Sequence, residues 1–484
     1  MALTFRRSFL LRAGLTPALV AVADPLLDGP RLGAPAGVLG LVWLGTVMAI
    51  HPEVRRSRPA LVAAGVATLL ALSMIEDAGA LAPLLFLPAL GMVVLLPRQR
   101  RFDDAWHWFS RLARFGFFSL LPFLDEGRTL LRLRARHGAP APGSVAGRWL
   151  RLLAVPVLGA LVFLFFFASA NPLVERALAV LAPAHWLDLV DPARLAFWAV
   201  MAVLAWTSLR PRRISWRAAP APLALPGLNT ASLRLSLIVF NLIFAVENLL
   251  DLTFLWSGAA LPDGVTMADY AHRGAYALIA TALMAGGFVL AACRPGIAGD
   301  RLLFRLLLAW IGQNVLLVAS SMRRTLDYVE AYGLTELRLA ALVWMALVGL
   351  GLVLICLRLA GTRSGGWLIN ANALAAGVTL MIFITAIDPA AVVASWNVHR
   401  HLAAGEQGPA LDWDYMESLG PAALLPVLEL EVATGDEGVR GEARDLRAHL
   451  LADLERHQST VDWWSYRGAR RLAEARRRLA SLPD

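Results

Sequence analysis

The 484-residue chain is 58% hydrophobic and 17% charged, with a mean hydropathy of +0.60, a balance that excludes a soluble globular protein of this length and requires a lipid bilayer. Its formal net charge of +9 rests on 45 basic residues, all of them arginine. Most lie in short loops between apolar runs, where the positive-inside rule accounts for them, so no nucleic-acid partner is implied.

Near the start, FRRSFLL (5–11) has the form of a twin-arginine signal and Ala21-Val22-Ala23 that of a cleavage site. Arg12 and Pro17 interrupt the apolar region, and the stretch reads as a first membrane helix instead. Apolar runs of spanning or near-spanning length then recur to Asp388. They predict an all-α integral membrane protein, a polytopic bundle of about eleven transmembrane helices. The spans fall roughly at 9–27, 36–50, 60–75, 80–97, 149–169, 193–209, 232–257, 272–292, 302–322, 338–358 and 367–388. Arginine is concentrated in alternate loops, including those around Arg55–Arg58, in 98–148, and at Arg210–Arg217. That side is expected to be cytoplasmic, as is the N-terminus, and the tail beyond Asp388 is expected outside.

Domain organisation follows from shifts in composition. Residues 1–209 read as an N-terminal membrane half of about six helices, including a basic segment at 98–148. In that segment Trp106, Trp108, Phe109, Leu112 and Phe115 alternate with charged residues, as expected of a helix in the headgroup region held by anionic lipid. Residues 210–230 form a Pro/Ala-rich linker, 231–388 a C-terminal membrane half of about five helices, and 389–484 a small helical extramembrane region. This tail offers a possible docking surface for a protein partner. Cys293 and Cys356 both fall on the expected cytoplasmic side, so no disulfide is implied.

Three ordered motifs occupy roughly the last half of the chain: DGVTMADYAHRGAYALI at 263–279; AYGLTELRLAAL at 331–342; and DPAAVVASWNVHRHL at 388–402 with LDWDYMESLG at 411–420. On these residues the chain resembles the bacterial multi-pass membrane proteins known as domain of unknown function 4173, although Met267 stands where that pattern has an aromatic residue. The resemblance implies a bacterial inner-membrane location and supplies no activity. Some such proteins carry a sensor-kinase label, yet neither a phospho-acceptor helix nor a Gly-rich ATP site is present.

The chemistry worth pursuing lies in the span 232–257, which carries Glu247, Asn248 and Asp251 on one helical face. Carboxylates in lipid require partners. The expected topology brings His272, Arg273 and Tyr276, and from a third helix Arg323 and Arg324, to the same outer depth. Two readings stay open: buried pairs that lock three helices, or an outward polar site for a ligand. Gln313, Asn314, Asn370 and Asn372 are expected to hydrogen-bond across the bundle, and Gly286, Gly287, Gly349, Gly351 and Gly377 to permit close helix packing. His399 and His401, two apart on a helix, point to different sides, so no metal is implied; nor is a cofactor.

The leading functional reading is a non-enzymatic component that binds or moves a small polar or lipid-derived ligand through this cluster. A scaffold or regulatory component acting through the inner basic segment and outer tail is the alternative. A membrane enzyme acting on lipid or glycan comes third.

Overall fold

The computed structural model describes residues 2–27, 33–77, 79–98, 103–117, 191–210, 230–257, 300–361, 363–405, 410–461 and 463–481. Among these residues every regular element is a helix. The first group comprises α1 (Ala2–Leu26), α2 (Ala34–Ile50), α3 (Pro52–Arg56), α4 (Arg58–Glu76), α5 (Leu81–Leu95), α6 (Ala105–Phe117) and α7 (Pro192–Leu209). It is followed by α8 (Thr230–Asp251), α9 (Arg301–Tyr332), α10 (Glu336–Ala360) and α11 (Gly365–Thr385). The tail holds α12 (Pro389–Ala404), α13 (Trp413–Ser418), α14 (Leu424–Ala433), α15 (Glu437–Gln458) and α16 (Tyr466–Ala480).

Six of the described helices are long and apolar enough to cross a membrane: Arg58–Glu76, Leu81–Arg98, Thr230–Trp256, Arg301–Tyr332, Glu336–Ala360 and Gly365–Thr385. Two shorter apolar helices, Ala34–Ile50 and Ala193–Leu209, accompany them. This supports an all-α membrane protein without reaching eleven spans. The expected spans 149–169 and 272–292 lie outside the described residues.

Helix boundaries follow local chemistry. Thr335 and Ser364 accept backbone N–H groups as N-caps of α10 and α11, and Asp300 caps α9 through Leu302 and Leu303. Asp388 caps α12 just before Pro389, whose missing N–H suits the first helical position.

Three apolar clusters organise the packing. The first gathers α1, α2, α4, α5, α6 and α7 around Trp43, Leu70 and Phe86. The second gathers α8 to α11 around Trp310, Ile311 and Met345. The third gathers α12 to α16 and the α9–α10 turn around Val398, Met416 and Leu430. α11 touches α4 and α6 as well as α10, so it bridges the first two.

α6 divides its aromatic residues between two faces. Trp108 is buried, and Leu112 and Phe115 pack against the first cluster, with Leu112 next to Gly91 of α5. Trp106 and Phe109 are 61% and 62% exposed and stack on each other at 5.8 Å. Asn370 of α11 fixes the start of α6: its Oδ1 accepts the Ala105 N–H at 2.8 Å and its Nδ2 donates to the Asp103 carbonyl at 3.3 Å. Of the other polar residues expected to bond across the bundle, Gln313 does so, whereas Asn314 and Asn372 donate to carbonyls of their own helices. Asn372 also lies where a Cβ on Gly351 would come within 2.9 Å of its Oδ1, so Gly351 serves close packing while Gly377 faces open space.

The tail is bolted to one end of the bundle. From α16, Arg470 pairs with Glu76 at 2.7 Å, Arg467 with Asp77 at 2.9 Å, and Arg471 with Asp388. At the α9–α10 turn, Asn397 of α12 bonds both polar backbone atoms of Leu334. The Glu336 N–H donates to the Tyr415 hydroxyl at 2.8 Å. Glu76, Asp77, Leu334 and Asp388 therefore share one end of the molecule.

Candidate functional site

The site is built from α8 and α9, which run parallel. Arg234 near the start of α8 donates through Nε to Asp300, just before α9, at 2.8 Å, while Asp251 at the end of α8 meets Arg324 far along α9. The Arg234 hydrogen bond holds the Asp300 carboxyl below the usual carboxylate range.

Between these two ends lies a polar seam. Asn241 donates to the Leu306 carbonyl at 3.0 Å and to the Leu237 carbonyl of its own helix at 2.7 Å, and its Oδ1 accepts from Gln313 Nε2 at 2.8 Å. Asn248 donates to the Gln313 carbonyl at 3.2 Å. Trp256 donates through its indole N–H to Ser320 at 3.1 Å. On α8 the residues Arg234, Asn241 and Asn248 recur every seven, and on α9 Leu306, Gln313 and Ser320 do the same. Such a spacing keeps one face of each helix in register with the other.

At the seam's end, Asp251 is fully buried and bonds to Arg324, which is 6% exposed. Glu247 lies one turn earlier, 3.5 Å from the same guanidinium, with its side chain 43% exposed. α8 closes in a π-helical turn over Leu252–Trp256, marked by a bond from the Ser257 N–H to the Leu252 carbonyl at 3.2 Å. Turns of this kind frequently accompany functional sites.

Of the residues expected to gather, Glu247, Asp251 and Arg324 come together, with Asn248 beside them. Arg323 does not join: it is half exposed and pairs with Asp327 of its own helix at 2.9 Å. One residue on a helix is a rotation of about 100°, which turns Arg323 away from α8 when Arg324 faces it. His272, Arg273 and Tyr276 lie outside the described residues. Arg234 and Asn241 belong to the seam and escaped the sequence reading; their seven-residue spacing to Asn248 was the available signal.

The seam is rich in acceptors. Asn248 Oδ1, Gln313 Oε1 and Asn314 Oδ1 are buried and meet no hydrogen-bond donor among the described residues. A buried acceptor left without a donor is destabilising by about 1–3 kcal/mol. This arrangement can receive a group that donates hydrogen bonds. Among the described residues it offers no nucleophile paired with a base, and no three His, Cys, Asp or Glu side chains assemble as a metal site.

Residues 63–430 match the family described as "Domain of unknown function (DUF4153)". No curated protein and no solved structure matches the chain. The family found is thus DUF4153; the motifs had suggested 4173, and what the two share is that each is a domain of unknown function.

Proposed function

The chain belongs to the DUF4153 family, a domain of unknown function that covers most of its length, and from that premise we propose a non-enzymatic membrane component that binds or moves a small polar or lipid-derived ligand at the α8–α9 seam. The observation that carries the reading is Glu247. It remains 43% exposed on a membrane-length helix, beside a buried pair that already joins Asp251 to Arg324. A carboxylate kept in a membrane helix whose ion-pair contact among the described residues is a 3.5 Å approach to a guanidinium is expensive unless it is used. The ligand's recognised part is a hydrogen-bond donor, because the oxygens of Asn248, Gln313 and Asn314 are acceptors.

The reading includes a bacterial inner-membrane location with a cytoplasmic N-terminus and an extracytoplasmic tail, an orientation supported by the arginine distribution. The halves at 1–209 and 231–388 and the tail at 389–484 draw support from the three apolar clusters. No nucleic-acid partner, metal or cofactor enters it.

The test is mass spectrometry of polar and lipid species released from purified protein, comparing wild type with Glu247→Gln. The expected result is a species lost from Glu247→Gln at unchanged yield and thermal stability. Identical released species in both proteins, or none beyond a detergent blank, would sink the reading.

A second reading, contact with the anionic cytoplasmic leaflet or with a protein partner, is favoured by one feature, the exposed stacked Trp106–Phe109 pair on α6. Its docked opposite face leaves that pair free to enter the headgroup layer.

A further inference from the structure

Two motifs that lie far apart in sequence meet around one cavity at the tail's end of the bundle. Its volume is about 290 Å³, and its lining includes Arg338, Asn397, Arg400, His401, Asp412 and Tyr415. It is separate from the α8–α9 seam, and the inference drawn from it stands independently of the ligand proposed there.

Both arginines are held in place before any ligand arrives. Arg400 donates through Nη2 to the carbonyls of Glu330 and, at 3.3 Å, Ala331. Arg338 donates through Nη1 to the carbonyls of Gly333 and, at 3.2 Å, Tyr332. Glu330, Ala331 and Tyr332 carry the last carbonyls of α9 and Gly333 is its C-cap; a helix leaves such carbonyls without intrahelical donors, and they carry its negative dipole end. Aromatic faces steady the same groups: Arg338 lies 4.5 Å from the Tyr328 ring centre and Arg400 5.6 Å from that of Trp396. A guanidinium has five N–H donors on three nitrogens. The backbone contacts occupy one nitrogen on each arginine, leaving Nε and the second Nη for another acceptor.

Of the other lining groups, Tyr415 is a donor and Asn397 is already committed. Tyr415 accepts the Glu336 N–H at its hydroxyl oxygen, which leaves its own proton to donate. Burial pushes the Tyr415 phenol up from its ordinary value, so it keeps that proton at neutral pH. Both amide atoms of Asn397 are engaged by Leu334. Asp412 is the lining carboxylate, and one of its oxygens caps α13 by accepting the Tyr415 N–H at 2.9 Å. Two guanidiniums against one carboxylate leave an excess positive charge.

We propose that this cavity binds a phosphate group, as a small phosphate ester or as a phospholipid headgroup, between Arg338 and Arg400 with the Tyr415 hydroxyl as a third donor. Forked guanidinium donors match phosphate oxygens in geometry as well as charge. The volume lies at the small end of ligand pockets, enough for a phosphate with a short organic group. Its position fits both sources of that group, because the α9–α10 turn is where two apolar spans end and the extramembrane helices begin.

The experiment uses the full chain and two probes. Binding of glycerol 3-phosphate is measured in uncharged detergent by calorimetry. Retention of phosphatidylglycerol is measured by native mass spectrometry after exchange into phosphatidylcholine nanodiscs containing a minority of that lipid. Arg338→Gln and Arg400→Gln are expected to weaken the responding probe tenfold or more. Asp412→Asn keeps a capping oxygen and removes the negative charge, so it is expected to tighten the same probe about threefold. A response to glycerol 3-phosphate identifies a soluble ester, and a response confined to phosphatidylglycerol identifies a headgroup. Should the arginine variants fail to fold, Asp412→Asn decides alone. The proposal is overturned if neither probe binds, or if Asp412→Asn leaves the binding of both unchanged.

Discussion

Asn397 brackets the backbone of Leu334, accepting its N–H at Oδ1 over 2.8 Å and donating from Nδ2 to its carbonyl over 2.9 Å, so that a buried side chain from the tail replaces a missing stretch of backbone pairing at the α9–α10 turn. The turn itself needs Gly333, whose φ of +83° suits glycine and whose Cβ, if added, would come within 3.0 Å of Asn397 Oδ1. Asn397→Ala leaves two buried backbone groups without partners, and is expected to weaken tail docking by about 2–4 kcal/mol. Faster amide hydrogen exchange in α12 and at Leu334 is the readout. Gly333→Ala is expected to loosen the same region through backbone strain, and unchanged exchange in both variants would contradict the bracket.

A different scale of effect is expected at Asp251 and Arg324, both buried. Removing one member of a buried ion pair strands the other charge, and Arg324→Met or Asp251→Leu alone is expected to be destabilising by about 3–5 kcal/mol. The double variant removes both charges and is expected to recover much of that loss. Thermal denaturation in detergent, run on all four proteins, gives the coupling. Additive losses would mean that the pair is not a unit.

These residues also mark how far the sequence could be read. α10 and α11 were legible to within about three residues, because each is a continuous apolar run of spanning length; Thr335 and Ser364 cap them just ahead of those runs. Glu247, Asn248 and Asp251 stood out because acids in an apolar helix have few neutral explanations. Asn241 did not, since its seven-residue spacing to Asn248 gains a meaning only when α9 supplies Leu306 and Gln313. The choice of Arg324 over Arg323 depends on which face of α9 meets α8, a tertiary fact absent from a stretch where both are adjacent. The clasp between Arg467 and Asp77 joins residues 390 apart, beyond any periodicity or motif.

Acid sensitivity is expected at His51, which lies between α2 and α3 and is buried with its Nδ1 3.2 Å from Arg98 Nη2 and 3.3 Å from Glu53 Oε1. Burial first, then the charge of Arg98, lower its pKa from the ordinary 6.5; Glu53 opposes them, and Arg12 adds a smaller lowering effect. The folded state therefore holds a neutral imidazole, while the unfolded chain takes up a proton as pH falls below that ordinary value. Stability from this group is complete above the unfolded pKa and declines as pH drops through the window beneath it. The thermal midpoint is expected to fall between about pH 7.5 and pH 5.5, and His51→Gln is expected to flatten that slope. An unaltered slope in His51→Gln would assign the acid sensitivity to other groups.

The strongest check on the architecture is which surfaces share a side of the membrane. Arg467 and Arg470 of α16 reach Asp77 and Glu76 at the end of α4, and the Tyr415 hydroxyl accepts the N–H of Glu336 at the start of α10, so the tail and these helix ends face one compartment. Arg56, ahead of α4, and Gly361, at the end of α10, lie at the opposite ends of those spans. With Cys293 and Cys356 first replaced by serine, single cysteines at Ala80 and Thr460 are expected to react with a membrane-impermeant maleimide applied to intact cells. Cysteines at Arg56 and Gly361 are expected to react only in inverted vesicles, on the proposed orientation that turns the arginine-rich loops to the cytoplasm. The two halves of this prediction fail separately. Labelling of Ala80 and Thr460 from different sides would break the contact between α16 and α4, because no ion pair spans a bilayer. Labelling of all four with the sides exchanged would leave every contact standing and reverse the orientation, which would mean that the arginine count misjudged a bundle whose tail carries its own cluster of arginines at Arg467–Arg478.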